Sequence, residues 1–498
     1  MIKEQGKISL RSELKERFIE WCNYSTTHGI PNIARSDSKT VKLIWFVCLS
    51  AGSVYCFYSI VTILISFLSF GVLINIEVVE KAPIEFPAVT VCNLNPLDRR
   101  YSQSYIDEVL SKHNISHVKD TNRIDINPHT VKYLIKANIL ADKNLTWQQI
   151  RQFGFEIDFM LLTCFYNDKP CNASDFVWVY DFDFGNCFTF NSGNDQKGNK
   201  VPIRLMNEPG SDRSFKLELF LGDEFSQGIW MQQSGARVIV HNQSVEALIE
   251  AEGKELATNY QTDIGITRTF VSKLEYPYSN CVKNIYSPDG HKSEYFKAMF
   301  NILNMTTYRQ KNCIRLCVQK FIKDSCGCVD PKLPNIYKSV PYCATLSLLN
   351  CISNSRIEYL KKSDECKECP LECDSVDYQL RTSKSRYPTM YYTNYLRYQT
   401  DLVSRFPLTT VVSDNHIQKN IVLLNVFYDD LATTYVHEIQ EVSADALFGT
   451  IGGNLGLFIG MSLLSFVEIL EILIEVVLIC LKKRRNNNQL ILVKPVKF

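Results

Sequence analysis

The chain has 498 residues and a formal charge of +1, so several domains fit its length, and no global basic field marks it for nucleic acid. Apolar residues make up 46% of it, but they are gathered into two long runs, which excludes an ordinary soluble chain.

Residues 1–42 read as a charged arm that ends in "STTHGIPNI" and two lysines, Lys39 and Lys42. From Leu43 to Ile76 there is no charged residue. A bilayer core needs about 20 apolar helical residues, so 43–70 is predicted to be a transmembrane helix. The run starts too far into the chain and is too long for a cleavable signal peptide. Residues 71–445 follow as one large predicted domain. Alternating apolar residues predict strands over Ala88–Asn93, Phe215–Leu221, Ala236–Asn242 and Ile421–Tyr428. Helical spacing is expected over Tyr295–Asn304 and Asn312–Ile322, the latter placing Cys313 and Cys317 on one face. Cys366 and Cys369 then lie where a second segment could run beside it, as a ladder of bridges. "NSGNDQKGNK" (Asn191–Lys200) reads as a polar loop.

A second uncharged run extends from Ala446 to Val467 and stays largely apolar to Leu481, so 446–481 is the second predicted span. Lys482, Lys483, Arg484 and Arg485 open a short tail, 482–498. The basic residues flanking both runs place both termini in the cytosol and 71–445 outside. Cysteine use agrees with this reading. Of 18 cysteines, 14 lie between Cys92 and Cys373, an even number that suggests seven disulfides in an oxidising compartment. A zinc site at Cys326-Gly-Cys328 or Cys366-x-x-Cys369 is the competing reading, and the exterior location favours disulfides. Glycosylation sequons stand at Asn114, Asn144, Asn172, Asn242 and Asn304.

No residue set supports catalysis or a cofactor. "HNISH" (His113–His117) lacks the glutamate of a zinc-protease helix. There is no nucleophile elbow, phosphate loop or dinucleotide fingerprint. The second span is the chemically unusual part. Gly452, Gly453, Gly456 and Gly460 permit close helix approach or irregular backbone, which at membrane depth is tolerated only in protein or beside a cavity. Gly460-Met461-Ser462 offers carbonyls and a hydroxyl, hard ligands for an alkali cation. Glu468, Glu471 and Glu475 share one helical face. An interfacial position explains Glu475, near Lys482. It does not explain Glu468, about 20 Å of helix away from that lysine. A cation pore accounts for both oddities and is favoured over simple helix packing. Glu441 and Asp445 add acid at the outer mouth.

These residues resemble the epithelial sodium channel/degenerin family, which includes acid-sensing and peptide-gated channels. The likeness runs from about Cys22 to Cys480. It is carried by His28-Gly29, "FPAVTVCNLNP" (Phe86–Pro96), "GNCFTFN" (Gly185–Asn191), "YPYSNC" (Tyr276–Cys281), the cysteine series from Cys313 to Cys373 and "GLFIGMSLLSFVEILE". The resemblance implies an amiloride-sensitive, sodium-permeable homo- or heterotrimer with two transmembrane helices flanking a disulfide-rich α+β ectodomain on an antiparallel β core. It implies the pairs Cys92–Cys187, Cys164–Cys171, Cys281–Cys373, Cys313–Cys369, Cys317–Cys366, Cys326–Cys351 and Cys328–Cys343. It places a selectivity filter at Gly460, Met461 and Ser462, a gate at Gly449 and an inner pore lined by His28 and Gly29. Phe70 and Tyr278 take the positions of an aromatic contact coupling ectodomain to membrane. Sodium is the expected permeant ion, with calcium permeation expected from the acidic residues.

For the stimulus, the resemblance favours an extracellular neuropeptide, a known class of agonist among family members that lack the acid-sensing features. Gly71-Val72 stands where acid-sensing relatives carry histidines, and "EFSQGIWMQQS" (Glu224–Ser234) holds little acid. An isolated Glu224 is expected to titrate near its ordinary value. Proton-gated, mechanosensitive and constitutively open channels are the alternatives within the class. A membrane-tethered adhesion or binding ectodomain with silent spans is the alternative outside it.

Overall fold

The computed structural model describes residues 10–115, 127–226, 232–243, 245–361 and 366–491, with side chains from Arg11 to Lys482. His117, the segment 227–231 within Glu224–Ser234, and the side chains of Lys483, Arg484 and Arg485 lie outside the described residues. The chain divides into two compact units: Met1–Leu73 with Ile439–Phe498, and Ile74–Glu438.

The larger unit is built on two sheets. One runs in the order Asp374–Arg386, Tyr260–Ser272, Ile421–Gln440, Phe215–Phe220, Leu161–Tyr166 and Lys169–Pro170, and Val72–Glu80 also pairs with Ile421–Gln440. The other has the order Lys254–Leu256, Ala236–His241, Ala88–Asn93, Gly185–Phe190 and Phe176–Asp181. The second sheet is antiparallel throughout. The first pairs antiparallel at four of its strand contacts and departs from the expected antiparallel core at one. Tyr260–Ser272 and Ile421–Gln440 run parallel, joined by the long excursion of residues 273–420. A parallel pair needs a crossover of that kind, which a reading of local alternation cannot see.

Aromatic residues fill the space between the sheets. Phe86, Phe176, Phe188, Phe190 and Phe215 are fully buried, and the rings of Phe190 and Phe215 stack at 4.2 Å. Such large apolar side chains dominate core stability through buried area. Helices Arg99–Lys112 and Pro128–Ala141 pack around a separate Ile/Val core. Helices Gln310–Cys326 and Leu346–Lys361 form the cysteine-rich lobe. Seven disulfides join the seven pairs that the resemblance implied, from Cys92–Cys187 to Cys328–Cys343. Cys313–Cys369 and Cys317–Cys366 are consecutive rungs one helical turn apart, so the segment 366–373 is held along Gln310–Cys326.

In the smaller unit one uninterrupted described helix, Lys39–Leu68, is long and apolar enough to cross a membrane (mean hydropathy 1.8). The expected span 446–481, which the resemblance implies is broken at the filter, holds three pieces: α-helix Ala444–Asn454, a π-helical turn Leu455–Ile459 and α-helix Leu463–Ile491. Ahead of the first span lie the arm helix Leu10–Tyr24 and the short helix Ile30–Arg35.

Candidate functional site

The break in the expected second span falls on Gly460, Met461 and Ser462. Gly460 is left-handed (φ +69°), a conformation that costs an L-residue with a side chain of the order of 1 kcal/mol or more. Its N–H reaches the carbonyl of Gly456 at 3.1 Å, and that of Met461 reaches Leu455 at 3.1 Å, which closes the π turn. The new helix then starts with a reciprocal cap. Ser462 N–H donates to Ser465 Oγ at 3.0 Å, and Ser465 N–H returns to Ser462 Oγ at 3.4 Å. The Gly-x-Ser sequence therefore makes a chain reversal of hand followed by a helix start.

Residues 26–28 of the arm sit against this break. His28 N–H donates to the carbonyl of Ile459 at 2.9 Å, and its ring occupies the space where a side chain on Gly460 would lie. Gly29 (φ +83°) lets the chain turn beside Trp45 and Leu49. The first span packs along the second through Gly52, whose missing side chain leaves room for the Phe458 carbonyl, and through Ser59, which accepts from Asn454 Nδ2 at 2.9 Å. Tyr55 lies on Phe458 with ring centroids 4.7 Å apart. Close approach or irregular backbone was expected at Gly452, Gly453, Gly456 and Gly460; Gly456 lies in the π turn and Gly460 at the break under the His28 ring, while Gly452, Gly453 and Gly456 make no close approach. Within one chain those positions face open space, and Gly52 makes the close contact. The small-residue run "SAGS" (Ser50–Ser53) was the signal available.

Gly449 is also exposed, with open space around it in the single chain. Glu441 and Asp445 are exposed near the start of the same helix, and the Glu441 carboxylate fills the space over Gly71 while its N–H donates to the Gly71 carbonyl at 2.9 Å. Glu468 and Glu475 are half-buried and Glu471 exposed. Phe70 has φ +51° at the end of the first span, and Tyr278 lies in a turn of the larger unit. Asn114, Asn144, Asn172 and Asn304 are exposed, while Asn242 is half-buried, which narrows glycan access there.

The larger unit contains a cleft of about 1040 Å³. Its walls carry Asp181, Asp183, Glu246 and Glu250 beside Trp147, Leu303, Ile314 and Leu333, with Arg315 and Lys332 at the same surface. Lys136 is buried and bonds Asp183 at 3.1 Å, and Lys332 bonds the other Asp183 oxygen at 2.9 Å. Burial opposes the Asp183 charge, but these two cations outweigh it and hold the carboxyl below its usual range. Lys132, half-buried one turn before Lys136, is lowered to about 8 by burial and by that like charge. Burial pushes Asp181 and Glu246 up, the latter bonded by Asn312 Nδ2 at 2.9 Å.

One further acid corrects the sequence reading, and a second was missed by it. Glu224 is not an ordinary solvated carboxylate: burial raises its pKa, and Asn420 Nδ2 donates to it at 2.9 Å. Glu218 is buried in the first sheet, raised by desolvation and bonded by Tyr387 Oη at 2.7 Å and Thr163 Oγ1 at 3.2 Å. Its signal was a glutamate inside the strongly apolar "FKLELF" strand. Among the described residues no group of three His, Cys, Asp or Glu is placed to hold a metal ion.

Comparison with known proteins then bears on this geometry. The model of the family described as amiloride-sensitive sodium channel matches residues 21–472. The bile acid-sensitive ion channel of Mus musculus is 26% identical over 459 residues, covering 89% of this chain and 84% of the relative. Acid-sensing ion channel 1A of Danio rerio is 24% identical, covering 91% and 86%. The gamma subunit of the Xenopus laevis epithelial sodium channel is 27% identical over 355 residues, covering 70% and 51%.

Proposed function

Because this chain belongs to the amiloride-sensitive sodium channel family, whose members are plasma-membrane ion channels and not enzymes, we propose that it is one subunit of a homo- or heterotrimeric, amiloride-sensitive, sodium-permeable channel gated by an extracellular neuropeptide. The proposed layout is a cytosolic arm (1–42), a first span (43–70), an extracellular domain (71–445), a second span (446–481) and a cytosolic tail (482–498). The observation that carries the pore is the break at Gly460–Ser462, which offers carbonyl and hydroxyl oxygen at the middle of an apolar span, with Glu468, Glu471 and Glu475 beyond it. Isolated anchors have no use for such a break. His28 and Gly29 are proposed for the inner pore, Gly449 for the gate, and Phe70 with Tyr278 for coupling. Glycans are proposed at the five sequons.

The cleft supports the peptide reading. A volume of about 1040 Å³ is large enough for several residues, and paired charges of both signs beside an apolar wall suit an amphipathic chain. Relatives named for acid and for bile acid supply the competing stimuli. The test is voltage clamp of cells expressing the chain, alone and with homologous subunits, during a neuropeptide library, a step to about pH 6 and bile acids. An amiloride-blocked sodium current evoked by a peptide is expected, and its loss in Glu246→Ala would tie it to the cleft. A current evoked by acid or bile acid, with none from any peptide, overturns the peptide assignment and leaves the channel. Expression at the surface without current in any combination overturns the channel.

A further inference from the structure

Two sequons stand in the wall of the cleft. Asp142, Leu145 and Trp147 line it, and Asn144 lies among them in the sequon Asn144-Leu145-Thr146. Leu303 and Met305 line it on either side of Asn304, whose sequon is Asn304-Met305-Thr306. Both asparagines are exposed, and both are rooted on pinned backbone. Thr146 caps helix Trp147–Gln152, its N–H and its hydroxyl each donating to Gln149 Oε1 at 2.9 Å. Asn304 (φ +54°) follows helix Glu294–Asn301. Its neighbours tie the turn to that helix: Leu303 N–H donates to the Ala298 carbonyl at 3.2 Å and Met305 N–H to the Met299 carbonyl at 2.9 Å. The Trp147 ring meets those of Trp178 and Tyr180 at 6.4 and 5.7 Å, yet 60% of the residue stays exposed. A large ring so open on a cleft wall is apolar area that a covalent neighbour can bury.

We propose that N-glycans on Asn144 and Asn304 form a cover over this cleft, the glycan of Asn144 lying on the Trp147 ring. The proposal rests on the reading of the larger unit as extracellular, because sequons are used in secreted and surface domains. Its physical basis is reach and surface chemistry. Trp147 is three residues from Asn144, within the span of the first few sugars. A pyranose turns a row of C–H groups to one face, and these pack on the electron-rich face of an indole. A glycan is bulky, so one rooted on each of two wall segments narrows the way in. Asn242 also falls between wall residues, His241 and Gln243, but it is half-buried and takes no part in the cover.

The experiment is hydroxyl-radical footprinting of the full-length protein made in a glycosylating cell. Mass spectrometry reads the occupancy of each sequon and the oxidation of Trp147 and Met305, two readily oxidised side chains on the wall. Asn144→Gln should raise Trp147 oxidation severalfold, and Asn304→Gln should raise that of Met305. Asn172→Gln removes an exposed sequon outside the cleft wall and should change neither. Thr146→Ser keeps both sequon and cap and should match wild type. Removing the glycans from the folded wild type with a peptide N-glycosidase gives the same readout if a variant fails to fold. Unchanged oxidation of Trp147 and Met305 after the glycans are removed overturns the proposal, as does an equal rise in Asn172→Gln. Bare Asn144 and Asn304 beside an occupied Asn172 overturn it while the extracellular reading stands. A protein with no sugar at any sequon overturns the extracellular reading and the proposal together.

Discussion

Gly460 and His28 occupy one space. The left-handed backbone of Gly460 and the imidazole over it both forbid a side chain there. Gly460→Ala should therefore abolish selective current. His28→Ala added to it should recover part, because it removes the clash but leaves the cost of positive φ. A double variant as silent as the single one would show that backbone strain alone decides. Glu218 allows a second test at this scale. Its folded pKa is raised, so the fold binds its proton more tightly than the unfolded chain does. Its ionised form costs stability, and that cost is relieved as pH falls through the folded value. Glu218→Gln keeps polar partners for Tyr387 and Thr163 and removes the charge. The variant ectodomain should be more stable than wild type above neutral pH. It should lose the part of the stability gain on mild acidification that Glu218 supplies. Thermal unfolding at pH values about 5 and about 8 measures this. Equal dependence in both proteins would remove Glu218 from the account. Residues such as Gly460 were legible because a Gly-x-Ser break is odd in an apolar span. Glu218 was not, since one glutamate in a strand reads as its solvent face.

Elements were legible where apolar alternation is local. Ala88–Asn93 has the bounds the pattern predicts, and the Phe215 and Ala236 strands each stop one residue short of theirs. Tyr260–Ser272 and Asp374–Arg386 were missed because they carry many polar residues and draw their order from thirteen paired positions. The strand from Ile421 was cut short at Tyr428, since Asp429-Asp430 looks like a turn. It continues to Gln440 because the register shifts there and Asp429 finds both room over Gly265 and the Arg381 guanidinium at 2.7 Å. The cysteine pairing was beyond spacing alone and came with the resemblance. The helix Ala444–Asn454 carries a prediction of its own. Gly449 meets nothing in one chain, so any crowding at the proposed gate comes from neighbouring subunits. A bulky side chain such as Gly449→Phe should then hold the trimer open and give a sustained current without agonist. A variant that stays shut under every condition would move the gate elsewhere.

At the scale of the whole molecule, assembly into the proposed trimer would turn single side chains into rings. Three copies of Glu471 and Glu475 below the filter would place six carboxylates around one axis, with the Glu468 carboxylate accepting from the Thr26 N–H of the arm at 3.1 Å. The attraction of a fixed potential for an ion scales with its charge, so such rings concentrate calcium more steeply than sodium. Whether calcium passes depends on the proposed filter, whose carbonyl and hydroxyl oxygens carry no full charge and so hold a divalent ion less tightly than a set of carboxylates would. Entry is then favoured and trapping is not, which is the condition for permeation. Replacing external sodium by calcium should leave an inward current with a shifted reversal potential. Glu471→Gln with Glu475→Gln should cut calcium permeability relative to sodium severalfold, while Gly460 and Ser462 keep sodium over potassium. Salt supplies the control, since screening within a Debye length of about 8 Å weakens exposed rings more than a closed filter. Raised ionic strength should therefore erode the calcium component first. Loss of all inward current when calcium replaces sodium, with the reversal potential driven strongly negative, would mean that these glutamates face helix neighbours and not the ion path.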